Sequence, residues 1–490
     1  MKILFVASEG LPFSKTGGLA DVVEALPKAL VAMGHEVGVV LPRYRGTKTA
    51  STLLPSLTVP LGDRLYFPDV LGTAPVHGVR YFFVDVPELF DREQLYGEKG
   101  KDYPDNAERF ALFSKAAIEI AKRVWVPDVI HCHDWQTALV PVLLCNSYEE
   151  DTMMRAVPVV FTIHNMGYHG LFHRHILRQI GLPESLFHQD ALEFYGKVNY
   201  LKGGLVFSDY LTTVSRRYAQ EIQTADYGHG LEGVVRGRGE RMVGILNGVD
   251  YAAWSPENDT FTAARYTAKD LAGKRLCKKD LLEQFKLPVK EKDLDRPLTG
   301  IVSRFADQKG FDLIAQDADE MLSEDLTIVA LGAGEPKYEH LFRELAARFP
   351  EKLGVKVAYD NAIAHKIEAG SDMFLMPSRY EPCGLNQIYS LRYGTVPVVR
   401  ATGGLDDTIQ DFDPQTGQGT GFKFETYDGQ ALLACIRRAL ATYRDVKAWK
   451  KVQANGMAKD FSWKASAAEY AQLYETARKS RNLRAAGTSN

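Results

Sequence analysis

No stretch of the 490-residue sequence reaches the roughly 20 consecutive apolar residues that a membrane-spanning helix needs. Cysteine is scarce: there are five, an odd number, scattered and without C-x-x-C spacing. That usage excludes a disulfide framework and a clustered zinc site, and it predicts a reducing, cytoplasmic setting. No charge dominates either. Lys and Arg number 59 against 62 Asp and Glu, a net charge of −3, so no general field draws in nucleic acid or an acidic membrane. An anionic ligand must therefore be held by local basic residues. The opening MKILFVASEG has an apolar run of only about six residues and no basic leader or small-residue cleavage site, so it reads as a first strand. Neither G-x-x-x-x-G-K-[ST] nor G-x-G-x-x-G occurs at the first glycine-bearing loop, which weakens P-loop and dinucleotide readings.

What is present is alternation. Short β-branched runs (ILFVA, EVGVVLP, VRYFFVDV, PDVIHCH, PVVFTIH, YLTTVS) recur between segments with apolar residues at helical spacing, such as ADVVEALPKALVAMG and RFALFSKAAIEIAKRVW. A second series (PLTGIVS, LTIVALG, VKVAY, DMFLMP, TVPVV) follows. Runs of this length suit strands buried on both faces of a parallel sheet. The pattern predicts an α/β chain of two doubly wound, Rossmann-like domains facing a central cleft. The boundary is placed near residue 250, and the second sheet starts at Pro297. Residues 1–250 and 251–460 form the domains, and the helix in 461–490 is expected to cross back to the N-terminal lobe, with its tail RAAGTSN frayed.

Three loops carry chemistry. In SEGLPFSKTGGLADVV, Gly17 and Gly18 permit close approach of a ligand, Lys15 adds charge, and a helix starting near Ala20 offers its amides to phosphate. An ordinary turn with a solvated lysine fits the same residues. In IVSRFADQKGFDLI, a buried strand delivers Arg304 with Lys309 five residues later, a pair suited to a diphosphate. In MPSRYEPCGLNQIYSLRYGTVPVVRATGGLDDTI, Glu381 is expected at the tip of a turn, with the free amides of Gly384 and Leu385 opening the next helix. Such a carboxylate accepts from sugar hydroxyls, although Glu381 also fits a first-turn helix residue favoured by the dipole. Cys383 has no histidine nearby in sequence to make it a nucleophile. His131 and His133 alternate along a strand and face one side, but lack a third metal ligand. The acidic pairs Asp293/Asp295, Asp317/Asp319 and Asp411/Asp413 follow no buried strand, which disfavours a metal-held diphosphate.

Taken together, SKTGGLADV, HCHDWQTALVP, FTIHNMGYHG, LNGVD, SRFADQKGFDLI and YEPCGLNQIYSLRYGTVPVVRATGGLDDT resemble the signature segments of bacterial glycogen synthases and plant starch synthases, glycosyltransferase family 5. The resemblance runs from residue 1 to about residue 475. It implies a GT-B fold and retaining transfer of glucose from ADP-glucose to the non-reducing end of an α-1,4-glucan. It implies no metal or other cofactor, and no nucleic-acid or membrane partner. The N-terminal domain would be the acceptor-side catalytic lobe, and the C-terminal one would bind the sugar nucleotide. By motif, Lys15, Gly18 and Asp21 face the donor from the first domain. Arg304 and Lys309 form the diphosphate clamp, and Tyr359 stacks on adenine. Glu381 holds the donor glucose with Cys383, Gly384 and Leu385. His164 lies at the sugar's reactive face, with Asp134, Asn165 and Asn247 lining the cleft.

One position varies. Asn386 stands where many bacterial members have threonine, and its amide is expected to donate to phosphate. Retention admits double displacement or same-face attack, in which the diphosphate takes the acceptor's proton. Two other classes compete: an α-glucan phosphorylase, for which no pyridoxal-phosphate motif is visible, and a glucan-binding protein without catalysis.

Overall fold

The computed structural model describes residues 1–48, 51–98 and 100–487, with side chains as far as Asn482. It divides into two units. The first comprises Met1–Val214, Ala219–Gly248 and the chain from Trp463 onward; the second comprises Val249–Ser462 with Ser215–Tyr218.

The strands of the two main sheets are numbered in chain order. In unit 1 they are β1 (Lys2–Val6), β2 (Glu36–Pro42), β3 (Ser51–Leu54), β4 (Asp69–Gly72), β5 (Arg80–Asp85), β6 (Val129–His133), β7 (Val159–Ile163), β8 (Tyr210–Thr213) and β9 (Met242–Gly244). Among the described residues their order is β9-β8-β7-β6-β1-β2-β5-β4-β3. β6 and β7 are buried at every position, as expected for strands covered on both faces. The sheet is not wholly parallel, because β4 runs antiparallel to β5 and β3 antiparallel to β4. Those two strands are short, and β3, at the sheet's edge, is mostly exposed, so they lack the apolar run by which the buried strands were recognised.

In unit 2 the strands are β10 (Leu298–Val302), β11 (Thr327–Gly332), β12 (Leu353–Val357), β13 (Met373–Met376), β14 (Val396–Arg400) and β15 (Phe422–Phe424). They lie in the order β12-β11-β10-β13-β14-β15, all parallel. In each sheet the chain completes one side of its first strand and then crosses to build the other. The reversal falls between β1 and β6 in unit 1, and between β10 and β13 in unit 2. Ligands of open α/β sheets bind at such a reversal, beyond the carboxyl ends of the strands.

The helix Trp463–Gly487 completes the core of unit 1. Trp463, Ala467, Tyr470, Tyr474 and Ala477, at helical spacing, pack with Leu19, Val23, Leu26 and Leu30 of the helix Gly18–Ala32. Burial of each large side chain stabilises by about 1.5–3 kcal/mol. The helix remains regular to Gly487, later than the expected fraying, and residues 488–490 lie outside the described residues. The chain leaves unit 1 after Gly248 and re-enters it at Trp463. Both passages run side by side: Val249 N donates to Phe461 O at 2.9 Å, and Phe461 N donates to Tyr251 Oη at 3.0 Å. A Cβ on Gly248 would lie 2.6 Å from the Trp463 backbone, so only glycine fits there.

Tyr474 carries a polar contact from this helix into the sheet beneath the site. Its hydroxyl is 2.8 Å from Nδ1 of fully buried His131. Tyr474→Phe is expected to destabilise unit 1 by about 1–2 kcal/mol, because a buried imidazole nitrogen loses its partner. Urea unfolding followed by tryptophan fluorescence measures this, and a wild-type midpoint would show that the contact contributes nothing.

Candidate active site

In unit 1 the polar residues gather where β1, β6 and β7 end. Glu9, just past β1, is 2% exposed and holds the following loop: it accepts from Thr16 N at 2.7 Å, Thr16 Oγ1 at 2.6 Å and Gly17 N at 3.2 Å. Burial raises its pKa above the ordinary carboxylate value, opposed by those hydrogen bonds. The helix begins at Gly18, two residues before the expected start. Lys15 Nζ lies 2.6 Å from Asp21 Oδ1 in a surface pair, worth roughly 0–1 kcal/mol. A Cβ at Gly18 would meet nothing within 4 Å, and one at Gly17 only Glu9 Oε1 at 3.8 Å. Packing within the protein therefore does not require either glycine.

Asp134 closes β6 with φ 57° and ψ −179°, a conformation ordinarily open only to glycine and costing about 1–3 kcal/mol. Its Oδ1 accepts the backbone N–H of His164 at 2.8 Å, so β6 and β7 present both residues together. Burial pushes the Asp134 pKa up to about 7, with the Glu9 charge adding to the effect, against hydrogen bonds from the His164 and Asn165 backbone. Burial also holds His164 down at about 3, hence neutral at pH 7. Asn165 Oδ1 caps its own turn by accepting from Gly167 N at 2.9 Å. Asn247 is 5% exposed and its Oδ1 has no hydrogen-bond partner among the described residues.

The folded pKa of Asp134 lies above the ordinary 3.8, so the folded state keeps a proton that the unfolded chain loses between about pH 4 and 7. The stability contributed at this position falls as pH rises through that window. Asp134→Asn keeps an acceptor and cannot lose a proton. Relative to wild type it is expected to be equally stable near pH 4 and more stable at pH 8. Urea titrations at the two pH values measure it; the opposite trend would show that hydrogen bonding to the charged form prevails over burial.

In unit 2, the loops after β10 and β13 meet at the reversal of strand order. Lys309 Nζ lies 2.6 Å from Glu381 Oε2, and Ser378 Oγ donates to the same oxygen at 3.0 Å. Arg379 N donates to Gln308 O at 2.9 Å, and a Cβ on Gly310 would lie 2.0 Å from Pro377 O, so the loops lie backbone to backbone. Arg304 is exposed, and its guanidinium has no hydrogen-bond or ion-pair partner among the described residues. Tyr359 follows β12 and is 86% exposed, a free ring at the sheet's carboxyl end.

Three expectations need correction here. Glu381 is 6% exposed and paired rather than standing at a turn's tip; the chain folds it inward against Lys309. Nor is it a first-turn helix residue, since the helix runs Asn386–Arg392 and Gly384 interrupts with φ 67°. Gly384 and Leu385 precede that helix, and Cys383 is 7% exposed beneath the turn. The Asn386 amide donates to Val302 O at 2.8 Å, tying the helix to the end of β10 instead of standing free for phosphate.

Several supporting residues were not singled out from the sequence. Gln387 Nε2 donates to Cys383 O and Gly384 O, each at 3.0 Å, fixing the turn. Gly404 N donates to Glu381 O at 3.0 Å, and a Cβ on Gly403 or Gly404 would lie 1.9 Å from a carbonyl of that turn. The adjacent glycines of ATGG signalled such an approach. Glu9, a carboxylate directly after a buried strand, was a signal of the same kind.

Two α/β units of this topology, each with charged and polar residues at its reversal of strand order, define a glycosyltransferase of the GT-B fold. Residues 2–237 match the starch synthase catalytic domain, and residues 283–455 match glycosyl transferases group 1. A glycogen synthase of Koribacter versatilis is 58% identical, with 98% of this chain and 99% of that one covered. One from Myxococcus xanthus is 47% identical, covering 97% and 99%. Among solved structures, the catalytic domain of starch synthase IV from Arabidopsis thaliana, bound to ADP and acarbose, has a TM-score of 0.88 at 35% identity, covering 97% of this chain and 99% of that one. Sucrose-phosphate synthase from Thermosynechococcus elongatus shares the fold, with a TM-score of 0.61 at 18% identity and 99% of each chain covered. The chain belongs to the glycogen and starch synthase family.

Proposed function

We propose that this enzyme transfers glucose from ADP-glucose to the non-reducing end of an α-1,4-glucan with retention of configuration, elongating glycogen in the cytoplasm. The observation that carries the reading is the Lys309–Glu381 pair at the reversal of the unit 2 sheet, in a loop that also carries exposed Arg304. An ammonium held there by a carboxylate, with a guanidinium on the same loop, suits a diphosphate leaving group next to a hydroxyl-rich sugar. The ADP and acarbose bound to the Arabidopsis relative support a nucleotide donor and a glucan-like acceptor. Exposed Tyr359 suits stacking on a nucleobase.

From unit 1, the open space over Gly18, the amides near Lys15 and Asp21, and the group of Asp134, His164, Asn165 and Asn247 supply polar contacts to the sugars. Cys383, Gly384 and Leu385 contribute through the turn they build. Charge on the departing diphosphate is met by Arg304 and Lys309 rather than by a metal. Among the described residues no group of three His, Cys, Asp or Glu side chains is placed to hold one. The free state of all five cysteines supports a cytoplasmic setting.

The test is a donor-by-acceptor panel: ADP release from ADP-glucose and UDP release from UDP-glucose, each with glycogen, maltooligosaccharide or no acceptor, with and without EDTA. Acceptor-dependent ADP release that survives EDTA is expected. Its absence under all conditions sinks the reading, and loss with EDTA alone sinks the metal-free part.

A further inference from the structure

Beneath the unit 1 cluster lie three imidazoles in a row. His131 and His133 are fully buried, with ring centroids 4.2 Å apart. His131 is satisfied at both nitrogens: Nε2 lies 2.6 Å from Thr162 Oγ1 and Nδ1 lies 2.8 Å from Tyr474 Oη. His133 is not. Its Nδ1 is 3.0 Å from His164 Nε2, while its own Nε2 has no partner among the described residues.

A neutral imidazole has one N–H and one lone pair. Two arrangements satisfy the His133–His164 contact. If His164 donated, His133 would carry its hydrogen on Nε2, leaving a buried N–H without an acceptor. Phe5 stacks on the face of the His133 ring, at 15° and 5.5 Å, and so offers that N–H no aromatic acceptor. If His133 donates from Nδ1, only a lone pair is left unmatched. Orphaned buried N–H groups are the rarer and costlier defect. Two charged imidazolium rings facing each other are also excluded, since burial lowers the pKa of both histidines far below pH 7.

We propose that His133 is a positioning residue that locks His164 as the Nδ1–H tautomer, so that His164 meets the substrate as a neutral hydrogen-bond donor and takes no proton during transfer. Its Nε2 is occupied by His133, and Nδ1 has no protein partner among the described residues. A neutral donor polarises a sugar oxygen without setting a second positive charge beside a developing glucosyl cation. The inference rests on the proposed function only for the identity of that substrate.

The test uses the full-length enzyme labelled with 15N-histidine, at pH 7 and without substrate. Long-range 1H–15N correlations read the tautomer, and H164N assigns the signals. His164 is expected to carry its proton on Nδ1. H133L removes the donor and is expected to give a mixed His164 tautomer, with kcat lowered about tenfold and donor KM within about twofold. H133N restores an N–H near the lost Nδ1 and is expected to recover most of both losses. Protonation at Nε2 in the wild type, an unchanged tautomer in H133L, or an H133N variant as impaired as H133L would each overturn the proposal. If H133L does not fold, the wild-type spectrum and H133N decide. Because the tautomer is read without substrate, failure of ADP-glucose turnover would count against the proposed function alone.

Discussion

Replacing Lys309 with alanine is expected to lower kcat by about 10²–10³-fold, with a much smaller change in donor KM. The ammonium lies 2.6 Å from Glu381, so its removal has two effects at once. The leaving diphosphate loses a charge-assisted partner as its charge grows. Glu381 also loses the cation that fixes it, keeping only the Ser378 hydroxyl at 3.0 Å on the same oxygen. Both side chains are mostly buried, so solvent screens this pair less than an exposed one. A double-mutant cycle with Glu381→Gln separates the effects. If the pair acts as a unit, K309A/E381Q is expected to be less impaired than the single losses sum to, by about 1–3 kcal/mol. Intact kcat at saturating donor, with weakened affinity only, would show that Lys309 binds ground and transition states equally.

Alanine at Gly403 is expected to remove at least about 99% of activity and to destabilise unit 2 by more than about 3 kcal/mol. Its φ of 46° already disfavours a side chain, and the new methyl would lie 1.9 Å from Glu381 O. Nothing flexible stands in the way; the obstacle is backbone. To relieve the clash the turn from Glu381 to Cys383 must shift, carrying the carboxylate with it. Thermal unfolding and steady-state kinetics on one preparation measure both effects. A variant with wild-type melting and kcat within about twofold of wild type would show that the turn has room that the contact distances deny. Gly18→Ala is the informative contrast, because its methyl meets no protein atom within 4 Å. Its stability is expected to be unchanged, so lost activity there would report on the ligand.

How much of this was visible beforehand depends on the kind of residue. Buried strands were legible because ILFVA or DMFLMP has no other stable placement than a covered parallel sheet. Exposed edge strands such as Ser51–Leu54 carry no comparable signal, and their antiparallel direction is set by the strand they pair with. Arg304, Lys309 and Glu381 were legible as loop residues after strands, which is where the fold places them. Their pairing was not, because it depends on β10 and β13 being neighbours although about 70 residues separate them in sequence. The role of His133 was hidden for the same reason: it acts through His164, on another strand, which its local sequence does not specify. Asn386 shows the converse, a donor already committed to the backbone.

The return of the chain to its first unit also orders events at the ribosome. The second unit is almost wholly one continuous stretch, Val249–Ser462, and can close on itself as it emerges. The first cannot. Its core lacks Trp463, Tyr470 and Tyr474 until the final helix has been made. At typical synthesis rates that leaves it open for roughly 10–50 s after Gly248 has been added. The carboxyl-terminal unit is therefore expected to close ahead of the amino-terminal one, reversing the usual order. Until then Leu19, Val23 and Leu26 lack part of their apolar cover.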